Sequence, residues 1–261
     1  MGRTRSRQWN QELFNEPDIV AEYAELGGLS PPETYLVGRY LSRGIDILDL
    51  GVGAGRTVAA LRALARRYVG IDYAEGMVEE CRKRYPGAEF LVADASDLSQ
   101  FPDRSFDAVL FSFNGIDCLY PDALRHACLR ECARVLRPGG VFIFSAHNPT
   151  GFVTVPKTRG LRRHVVIRRW AKEAYLALRR ALNAARRALW RGEGYVVDPV
   201  HGGLLTHLAS RRSVRRELRG QGFDHLETVP SSYPRRRPGV LVGWYYYAFR
   251  RVDADHVRGA R

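Results

Sequence analysis

The stretch DLGVGAGRT, from Asp49 to Thr57, places three glycines within five positions, directly after the apolar run IDILDL (45–50). A short apolar run closed by glycines is typical of a buried strand that ends in a tight turn. The segment RTVAALRALARRY (56–68) follows, with apolar residues at helical spacing. Because glycine has no Cβ, such a strand–loop–helix unit lets a ligand approach the backbone closely. The stretch therefore predicts a nucleotide-binding turn.

The remainder of the chain continues this alternation of strands and helices. Strand patterns occur at 45–50, 68–73, 88–94, 105–114, 141–148, 223–229 and 243–249. Helical patterns follow the first, second and fourth of these strands, which is typical of parallel βαβ units. The sequence predicts an α/β, Rossmann-like, seven-stranded, mostly parallel sheet flanked by helices, with a helical lid inserted between strands five and six.

The formal charge of +13 is concentrated in one segment of the 261-residue chain. Residues 157–191 hold twelve Lys or Arg and one acid, Glu173, which leaves about +2 for the rest. Three interpretations stay open. The segment is a lid helix with its arginines in water, a surface for an anionic substrate or anionic lipid, or an RNA or DNA surface.

The four cysteines are Cys81, Cys118, Cys128 and Cys132, and they show no paired CxxC spacing. We interpret them as buried thiols of a protein in a reducing compartment and predict no metal site. The N-terminal residues include no apolar segment of the kind found in a secretory signal. The expected location is the cytoplasm, and the sequence leaves open whether the protein is a monomer or a homodimer.

Carboxylates at strand ends narrow the choice of nucleotide. No Gly-Lys-Ser/Thr follows the turn, and Arg56 stands where a GxGxxG fingerprint needs its third glycine. Asp49 would repel a pyrophosphate and attract a cationic group. Asp72 ends the second strand, where an acid can accept both ribose hydroxyls, and Asp94 ends the third, where it can accept from an adenine amino group. S-adenosylmethionine combines a cationic head, a free ribose diol and an adenine.

Four longer stretches resemble motifs of the class I S-adenosylmethionine-dependent methyltransferases, of a bacterial small-molecule type. They are ILDLGVGAGRT, VGIDYAEGMVEECRKR, LVADASDLSQFPDRSFDAVLFSF and ECARVLRPGGVFIFS. The resemblance covers residues 35–147 and is weaker for SVRRELRGQGF and the final strands. It implies the cofactor S-adenosylmethionine and the activity of a methyltransferase.

The resemblance also implies roles for individual residues. Near the methionine part of the cofactor and around the methyl donor it places Asp49, Gly51, Gly53, Gly55, Ser112 and Phe113. Near the ribose and adenine it places Asp72, Tyr73, Met77, Asp94 and Ala95. Tyr23, in the N-terminal helical segment, is expected to close over the donor. Other interpretations stay open: Asp72 as a solvated acid, Asp94 as a helix cap and Met77 as ordinary core.

Methyl transfer has no universal catalytic motif, because the donor carbon is already electrophilic and the enzyme mainly aligns the reactants. A base helps when the acceptor is a hydroxyl. The candidate acceptors of a proton lie after strands four and five and in HGGLLTH (201–207): His147, His201, His207 and Asp117. His147 is the first choice, with a purely structural hydrogen bond as the alternative, and Asp117 could equally cap a helix.

The changes of pattern divide the chain into five segments. They are N-terminal helices over the cofactor site (1–43), the cofactor-binding core (44–150), the basic helical insertion (151–209), the last helix and two strands (210–252) and a tail (253–261). The predicted function is methyl transfer to an oxygen or nitrogen of a small molecule, such as a natural product or sugar, and an anionic acceptor stays open. The alternative is a methyltransferase or a non-enzymatic binding protein that acts at anionic lipid or RNA through the basic helix. Nucleic acid is the less favoured partner, and a nicotinamide oxidoreductase is a distant third.

Overall fold

A seven-stranded sheet forms the centre of the molecule. The computed structural model describes residues 10–154, 182–184, 186–198 and 204–252. Their strands are β1 (Ile45–Leu50), β2 (Ala65–Asp72), β3 (Glu89–Val92), β4 (Phe106–Phe111), β5 (Leu136–His147), β6 (Glu193–Asp198), β7 (Leu204–Ala209), β8 (Phe223–Pro230) and β9 (Trp244–Arg251). The main sheet has the order β3-β2-β1-β4-β5-β9-β8, with β9 antiparallel to β5 and β8 and the other pairs parallel. The predicted Rossmann-like fold is confirmed.

Helices flank this sheet. They are α1 (Pro17–Ala24), α2 (Pro31–Tyr40), α3 (Val58–Arg62), α4 (Glu75–Arg84), α5 (Asp122–Val135), α6 (Pro149–Thr154) and α7 (Arg211–Gly220), with short 3₁₀ turns at Gly115–Cys118 and Gly239–Leu241. Helix α2 begins after Ser30 with a capping box, in which the Ser30 N–H donates to Glu33 Oε2 at 2.6 Å.

The apolar core lies on both faces of the sheet. Leu48 and Leu50 of β1 belong to one layer and Ile47 to the other, so this strand places apolar side chains on both faces of the sheet. Stacked rings fill the first layer: Phe142 and Phe144 have centroids 4.7 Å apart, and Phe144 lies 5.2 Å from Tyr247. Parallel strands buried on both faces hold their carboxyl ends at one edge, where the glycine turn lies.

Several element boundaries differ from the sequence prediction, among them the end of α3 and the starts of β2 and β5. Helix α3 ends at Arg62, and β2 begins at Ala65, three residues before the predicted start. Ala65 pairs with Ile45, and the Arg66 guanidinium lies 2.7 Å from the Asp46 carboxylate, so sheet pairing overrides the helical periodicity there. Strand β5 likewise begins at Leu136, because that residue pairs with Phe106.

The insertion contains a hairpin that the sequence analysis missed. Strands β6 and β7 form a separate two-stranded antiparallel sheet. Asn10 exchanges two hydrogen bonds with the Leu205 backbone, both at 3.3 Å, and the Tyr195 hydroxyl donates to the Leu119 carbonyl at 2.7 Å. The hairpin is thereby held against the N-terminal helical segment and the loop after β4. Residues 186–191 are helical. Residues 155–181, which belong to the predicted basic helical insertion (151–209), lie outside the described residues.

The four cysteines are free thiols, and three of them are buried as predicted. Cys81, Cys128 and Cys132 are buried, and Cys118 is half-buried. The Cys128 and Cys132 sulfurs, one turn apart on α5, lie 4.0 Å from each other. Within the described part of the chain, no helix has the length and apolar character needed to cross a bilayer.

Candidate active site

The turn after β1 has a backbone that favours glycine. Gly51, Gly53 and Gly55 have φ angles of +59°, +55° and +93°. A Cβ on Gly51 would lie 2.8 Å from the Phe111 ring, and one on Gly55 would lie 2.7 Å from the Tyr85 ring. The turn therefore needs glycine both for its left-handed conformation and for its close packing.

Asp49 lies beneath this turn. Its carboxylate accepts hydrogen bonds from the Thr57 and Tyr68 hydroxyls, and its Oδ1 has no hydrogen-bond partner among the described residues. Burial raises the pKa of Asp49 to about 6, against the lowering effect of the two hydroxyls. The side chain is 1% exposed and does not line the adjacent cavity. The expected contact between Asp49 and a cofactor ammonium stays a prediction.

Asp72, at the end of β2, holds the turn from the other side. Its Oδ2 accepts from the Gly53 N–H and its Oδ1 from the Ala74 N–H, both at 2.9 Å. Burial raises the pKa of Asp72 to about 6, although these backbone donors lower it. Each carboxylate oxygen has a second lone pair for a further donor.

One cavity collects most of the predicted cofactor residues at the carboxyl edge of the sheet. Ten of the twelve line it: Tyr23, Gly51, Gly53, Asp72, Tyr73, Met77, Asp94, Ala95, Ser112 and Phe113. Gly55 and Asp49 do not, because the Gly55 backbone packs on Tyr85 and the Asp49 carboxylate lies under the turn. The topology thus brings the ends of β1 to β4 around one space, as expected for a switch point.

Asp94 and Met77 both make structural contacts besides lining the cavity, although the described chain between Asp94 and β4 holds no helix that Asp94 could cap. Asp94 Oδ1 accepts from the Ser96 N–H at 2.8 Å and from the Ser96 hydroxyl at 2.7 Å, so it closes a local turn while it lines the cavity. Met77 is 1% exposed, packs with Ala54 and Ala74, and also lines the cavity. Structural and ligand-facing roles therefore coexist in these residues.

The N-terminal helical segment covers the cavity with aromatic rings. Phe14 packs edge-on against Tyr23 and Tyr73, with centroids 5.8 Å and 6.2 Å away. Gln11 Nε2 donates to the Tyr73 carbonyl at 2.9 Å. Burial raises the pKa of Tyr23 to about 12, so its phenol stays neutral at physiological pH.

A buried ion pair, which the sequence analysis missed, links α2 to the glycine turn. Arg56 donates to both Glu33 oxygens, at 2.7 Å and 2.8 Å, and its guanidinium lies 4.5 Å from the Phe113 ring centroid. Burial would raise the pKa of Glu33, but Arg56 outweighs it and the pKa is lowered. The capping box at Ser30 explains why a glutamate stands at position 33, but no local pattern in the sequence pairs Glu33 with Arg56, 23 positions away.

On the acceptor side, His147 and Asp117 form a hydrogen-bonded pair. One oxygen of Asp117, Oδ2, lies 2.7 Å from the His147 backbone nitrogen and 2.9 Å from Nδ1 of its ring. Burial alone would raise the pKa of Asp117, but the hydrogen bond from His147 and the charge of Arg125 outweigh it and lower the pKa to about 2. The ionised carboxylate therefore keeps the imidazole proton on Nδ1.

Arg125 pairs with the Asp117 carboxylate and Glu217 holds Arg125, and the sequence analysis missed both residues. Arg125 is 1% exposed, and its Nη1 lies 3.3 Å from Asp117 Oδ1 and 3.1 Å from the Ile116 carbonyl. Its Nε donates to Glu217 at 3.0 Å. Arg125 and Glu217 are 92 positions apart, on α5 and α7, a separation that no helical or strand period reveals.

The other predicted proton acceptors are placed differently. His207 on β7 is buried, with Nδ1 3.8 Å from Asp117 Oδ1 and its ring 4.9 Å from that of Tyr195, and it does not line the cavity. His201 lies outside the described residues. Of the predicted catalytic group, the structure brings together His147, Asp117 and His207, and only His147 faces the cavity.

This arrangement can accept a proton inside the cavity. With the proton fixed on Nδ1, His147 Nε2 carries the lone pair and lies 3.3 Å from the Asn114 amide nitrogen. An imidazole oriented in this way is a suitable general base for a hydroxyl. The same cavity therefore combines Asp72, an acceptor for hydroxyl groups, with a base.

Comparison with known families agrees with this geometry. A family model described as a methyltransferase domain matches residues 48–144. A probable S-adenosylmethionine-dependent methyltransferase of Mycolicibacterium smegmatis is 38% identical over 109 residues, which are 42% of this chain and 40% of that protein. The chain thus spans about two fifths of the length of the first relatives it matches.

A longer match comes from a demethylmenaquinone methyltransferase of Beutenbergia cavernae, 30% identical over 69% of this chain and 79% of that protein. Among solved structures, a Burkholderia thailandensis 1,6-didemethyltoxoflavin-N1-methyltransferase with bound S-adenosylhomocysteine has a TM-score of 0.61 at 17% identity, covering 97% of this chain and 93% of that one. The CcbJ methyltransferase of Streptomyces caelestis has a TM-score of 0.60 at 19% identity, covering 92% and 98%. The chain belongs to the class I S-adenosylmethionine-dependent methyltransferases.

Proposed function

We propose that this protein transfers a methyl group from S-adenosylmethionine to an oxygen or nitrogen of a small molecule, with a hydroxyl as the favoured acceptor. The observation that carries the proposal is the position of the Asp117–His147 pair, whose imidazole lines the same cavity as Asp72 and the glycine turn. A base is needed more for a hydroxyl than for an amine.

The residues around the glycine turn fit the cofactor. A Cβ on Gly53 would lie 3.5 Å from the Tyr23 ring, so it would enter the space between the turn and α1. In this assignment Asp72 accepts the ribose hydroxyls, Met77 and Tyr73 border the adenine, and Asp94 with the Ala95 backbone accepts from its edge. When bound, S-adenosylmethionine supplies an electrophilic methyl group. Asp49 lies beneath the turn, and in this assignment the charge of its carboxylate attracts the cofactor ammonium.

The remaining lining indicates the character of the acceptor. Apolar side chains from the loop after β4, α5 and β7 complete the cavity: Leu119, Leu124 and Leu204, with Tyr120. Small-molecule sites of this kind bury an apolar body and orient it through a few polar groups. His147 and Asn114 provide those groups, so we assign an apolar acceptor that carries a single reactive hydroxyl or amine.

Three relatives are named for different acceptors, and two of the names specify methylation on oxygen. They are a demethylmenaquinone methyltransferase, a fatty-acid O-methyltransferase of Mycolicibacterium smegmatis and a malonyl-[acyl-carrier protein] O-methyltransferase of Methylococcus capsulatus. Each name states the activity of the relative that carries it. For this chain the acceptor class rests on the cavity lining. A cytoplasmic location and the oligomeric state stay predictions.

The test separates cofactor binding from methyl transfer. Calorimetry with S-adenosylhomocysteine measures binding, and labelled S-adenosylmethionine with a panel of phenols, fatty acids and amines measures transfer. We expect binding, and turnover that is highest on apolar hydroxyl compounds. Binding without turnover on any acceptor would instead favour the non-enzymatic alternative, and failure to bind would remove the proposal.

A further inference from the structure

An almost fully exposed indole lies on the described end of the insertion. Trp190 is 93% exposed and its neighbour Leu189 is 44% exposed. The preceding residue, Ala188, is 2% exposed and packs with Phe152 and Val196. The helical residues 186–191 thus contact the rest of the protein through Ala188, and the Trp190 side chain points away from that contact. A large aromatic residue in this position commonly marks an interaction site.

Arginines surround this indole. Arg186 and Arg187 precede Trp190 by four and three positions, so they lie one helical turn away, and Arg191 follows it. All three are exposed. The indole and the three guanidinium groups therefore share one outward surface.

This surface continues onto α7. The Gly192 carbonyl accepts from the Ser210 N–H at 2.7 Å and from the Ser213 hydroxyl at 3.1 Å. These bonds hold the chain after Arg191 against the first turn of α7, whose exposed arginines are Arg211, Arg212, Arg215, Arg216 and Arg219. We call the arginines of 186–191 and of α7, together with Trp190, the basic face.

Few carboxylates oppose the basic face. It has eight arginines, and the acids on its own elements are Glu193 and Glu217. Glu193 lies 3.8 Å from Arg216, and Glu217 is already paired with the buried Arg125. The sequence of 155–181, outside the described residues, adds nine Lys or Arg and one acid, so it offers little neutralisation.

We propose that the basic face docks the protein on an anionic lipid bilayer. Tryptophan rings concentrate at the water–bilayer interface, where one end of the indole is apolar and the N–H stays hydrated. Guanidinium groups pair with lipid phosphates, and each contributes to attraction by an anionic surface. Leu189 beside Trp190 favours a bilayer over RNA, because an exposed aliphatic side chain inserts into lipid but offers no stacking surface to bases. The docking is independent of methyl transfer.

The test uses the full chain and vesicles of phosphatidylcholine with and without phosphatidylglycerol. We expect co-sedimentation with the anionic vesicles alone, weakened by salt. Replacement of Arg187 and Arg191 by Gln is expected to weaken binding about 30-fold, from about fivefold for each charge removed. Trp190→Ala is expected to weaken it about tenfold, through the lost apolar contact. Arg62→Gln on α3 and Val92→Ala on β3, exposed residues far from the basic face, serve as controls with unchanged binding.

Fluorescence gives an independent measurement. A blue shift of the tryptophan emission on anionic vesicles is expected for the natural chain and should be absent in Trp190→Phe. Equal vesicle binding by the natural chain and both basic-face variants overturns the proposal. So does binding of a single-stranded RNA oligonucleotide under conditions in which the vesicles are ignored. Because the readouts are binding and emission, neither outcome bears on the proposed methyl transfer.

Discussion

One carboxylate oxygen of Asp117 accepts two hydrogen bonds from His147, from the backbone N–H at 2.7 Å and from Nδ1 at 2.9 Å. Both the main chain and the ring of His147 are therefore oriented by a single buried charge. Arg125 pairs with that charge, and Glu217 in turn holds the Arg125 guanidinium. The pair is a preorganised base: its geometry does not depend on the acceptor molecule.

Removal of the base should slow the chemical step. We expect His147→Gln to lower kcat about 10²–10⁴-fold with a hydroxyl acceptor, because glutamine cannot take up the proton. The affinity for S-adenosylhomocysteine, measured by calorimetry, should not change. His126→Gln, at a half-exposed histidine 3.6 Å from Glu217, is the matched control and should keep full activity. Normal turnover by His147→Gln would show that another group accepts the proton.

Cofactor affinity should depend on the ionisation of Asp72. Its pKa is raised to about 6 by burial, and only the carboxylate can accept both ribose hydroxyls. We expect the affinity for S-adenosylhomocysteine to rise as the pH increases through 6 and to level off above it. Asp72→Asn should bind weakly at every pH. Asp49→Asn removes the other carboxylate whose pKa is raised to about 6 and should leave a smaller rise, caused by Asp72. If Asp49→Asn abolishes the rise, the ribose assignment is wrong.

A methyl group at Gly53 should block the cavity. Gly53 and Gly28 both have positive φ, +55° and +77°, so an alanine at either adopts an unfavourable conformation at a cost of about 1 kcal/mol. A Cβ on Gly28 meets nothing within 4 Å, whereas one on Gly53 faces the Tyr23 ring. We expect similar melting temperatures for Gly53→Ala and Gly28→Ala, but weaker S-adenosylhomocysteine binding for Gly53→Ala alone. Equal affinities would place the cofactor elsewhere.

The buried Glu33–Arg56 pair should contribute to stability only while both partners are present. We expect Arg56→Met to lower the free energy of unfolding by about 3–5 kcal/mol, because it leaves the Glu33 carboxylate buried and unpaired. The double variant Glu33→Gln, Arg56→Met should recover part of that loss. Urea denaturation measures both. Arg39→Met, which removes an exposed partner of Glu227, is the control, and a loss as large as that of Arg56→Met would contradict the role of burial.

Stability should fall as the pH rises through the pKa of Asp49. Burial raises that pKa from 3.8 to about 6, so the folded protein binds the proton more tightly than the unfolded chain does. The associated stability is present below pH 4 and is lost between pH 4 and 6, by about 3 kcal/mol. In Asp49→Asn this decline should be smaller. Urea titrations at several pH values test it, and identical profiles for the two proteins would reject the assignment.

The main sheet could be predicted from the sequence because most of its strands contain a short apolar run that ends near a turn residue or a carboxylate. The glycine turn and Asp72 belong to such local patterns. Hairpin β6–β7 could not, because EGYVVD and LLTHLA are short and their pairing depends on contacts with Asn10 and Leu119 far away in the chain. The burial of Arg125 could not be predicted either, because an arginine in the helical stretch DALRHACL is expected to be exposed and its partner Glu217 lies far away in the chain.

The most direct test of the account is a crystal structure of the protein with S-adenosylhomocysteine. The account predicts that the ribose hydroxyls lie within hydrogen-bond distance of the Asp72 carboxylate, beside the turn at Gly51 and Gly53, and that the sulfur faces the part of the cavity lined by His147. A ligand bound with Asp72 making no contact to the ribose, or bound outside this cavity, would contradict it.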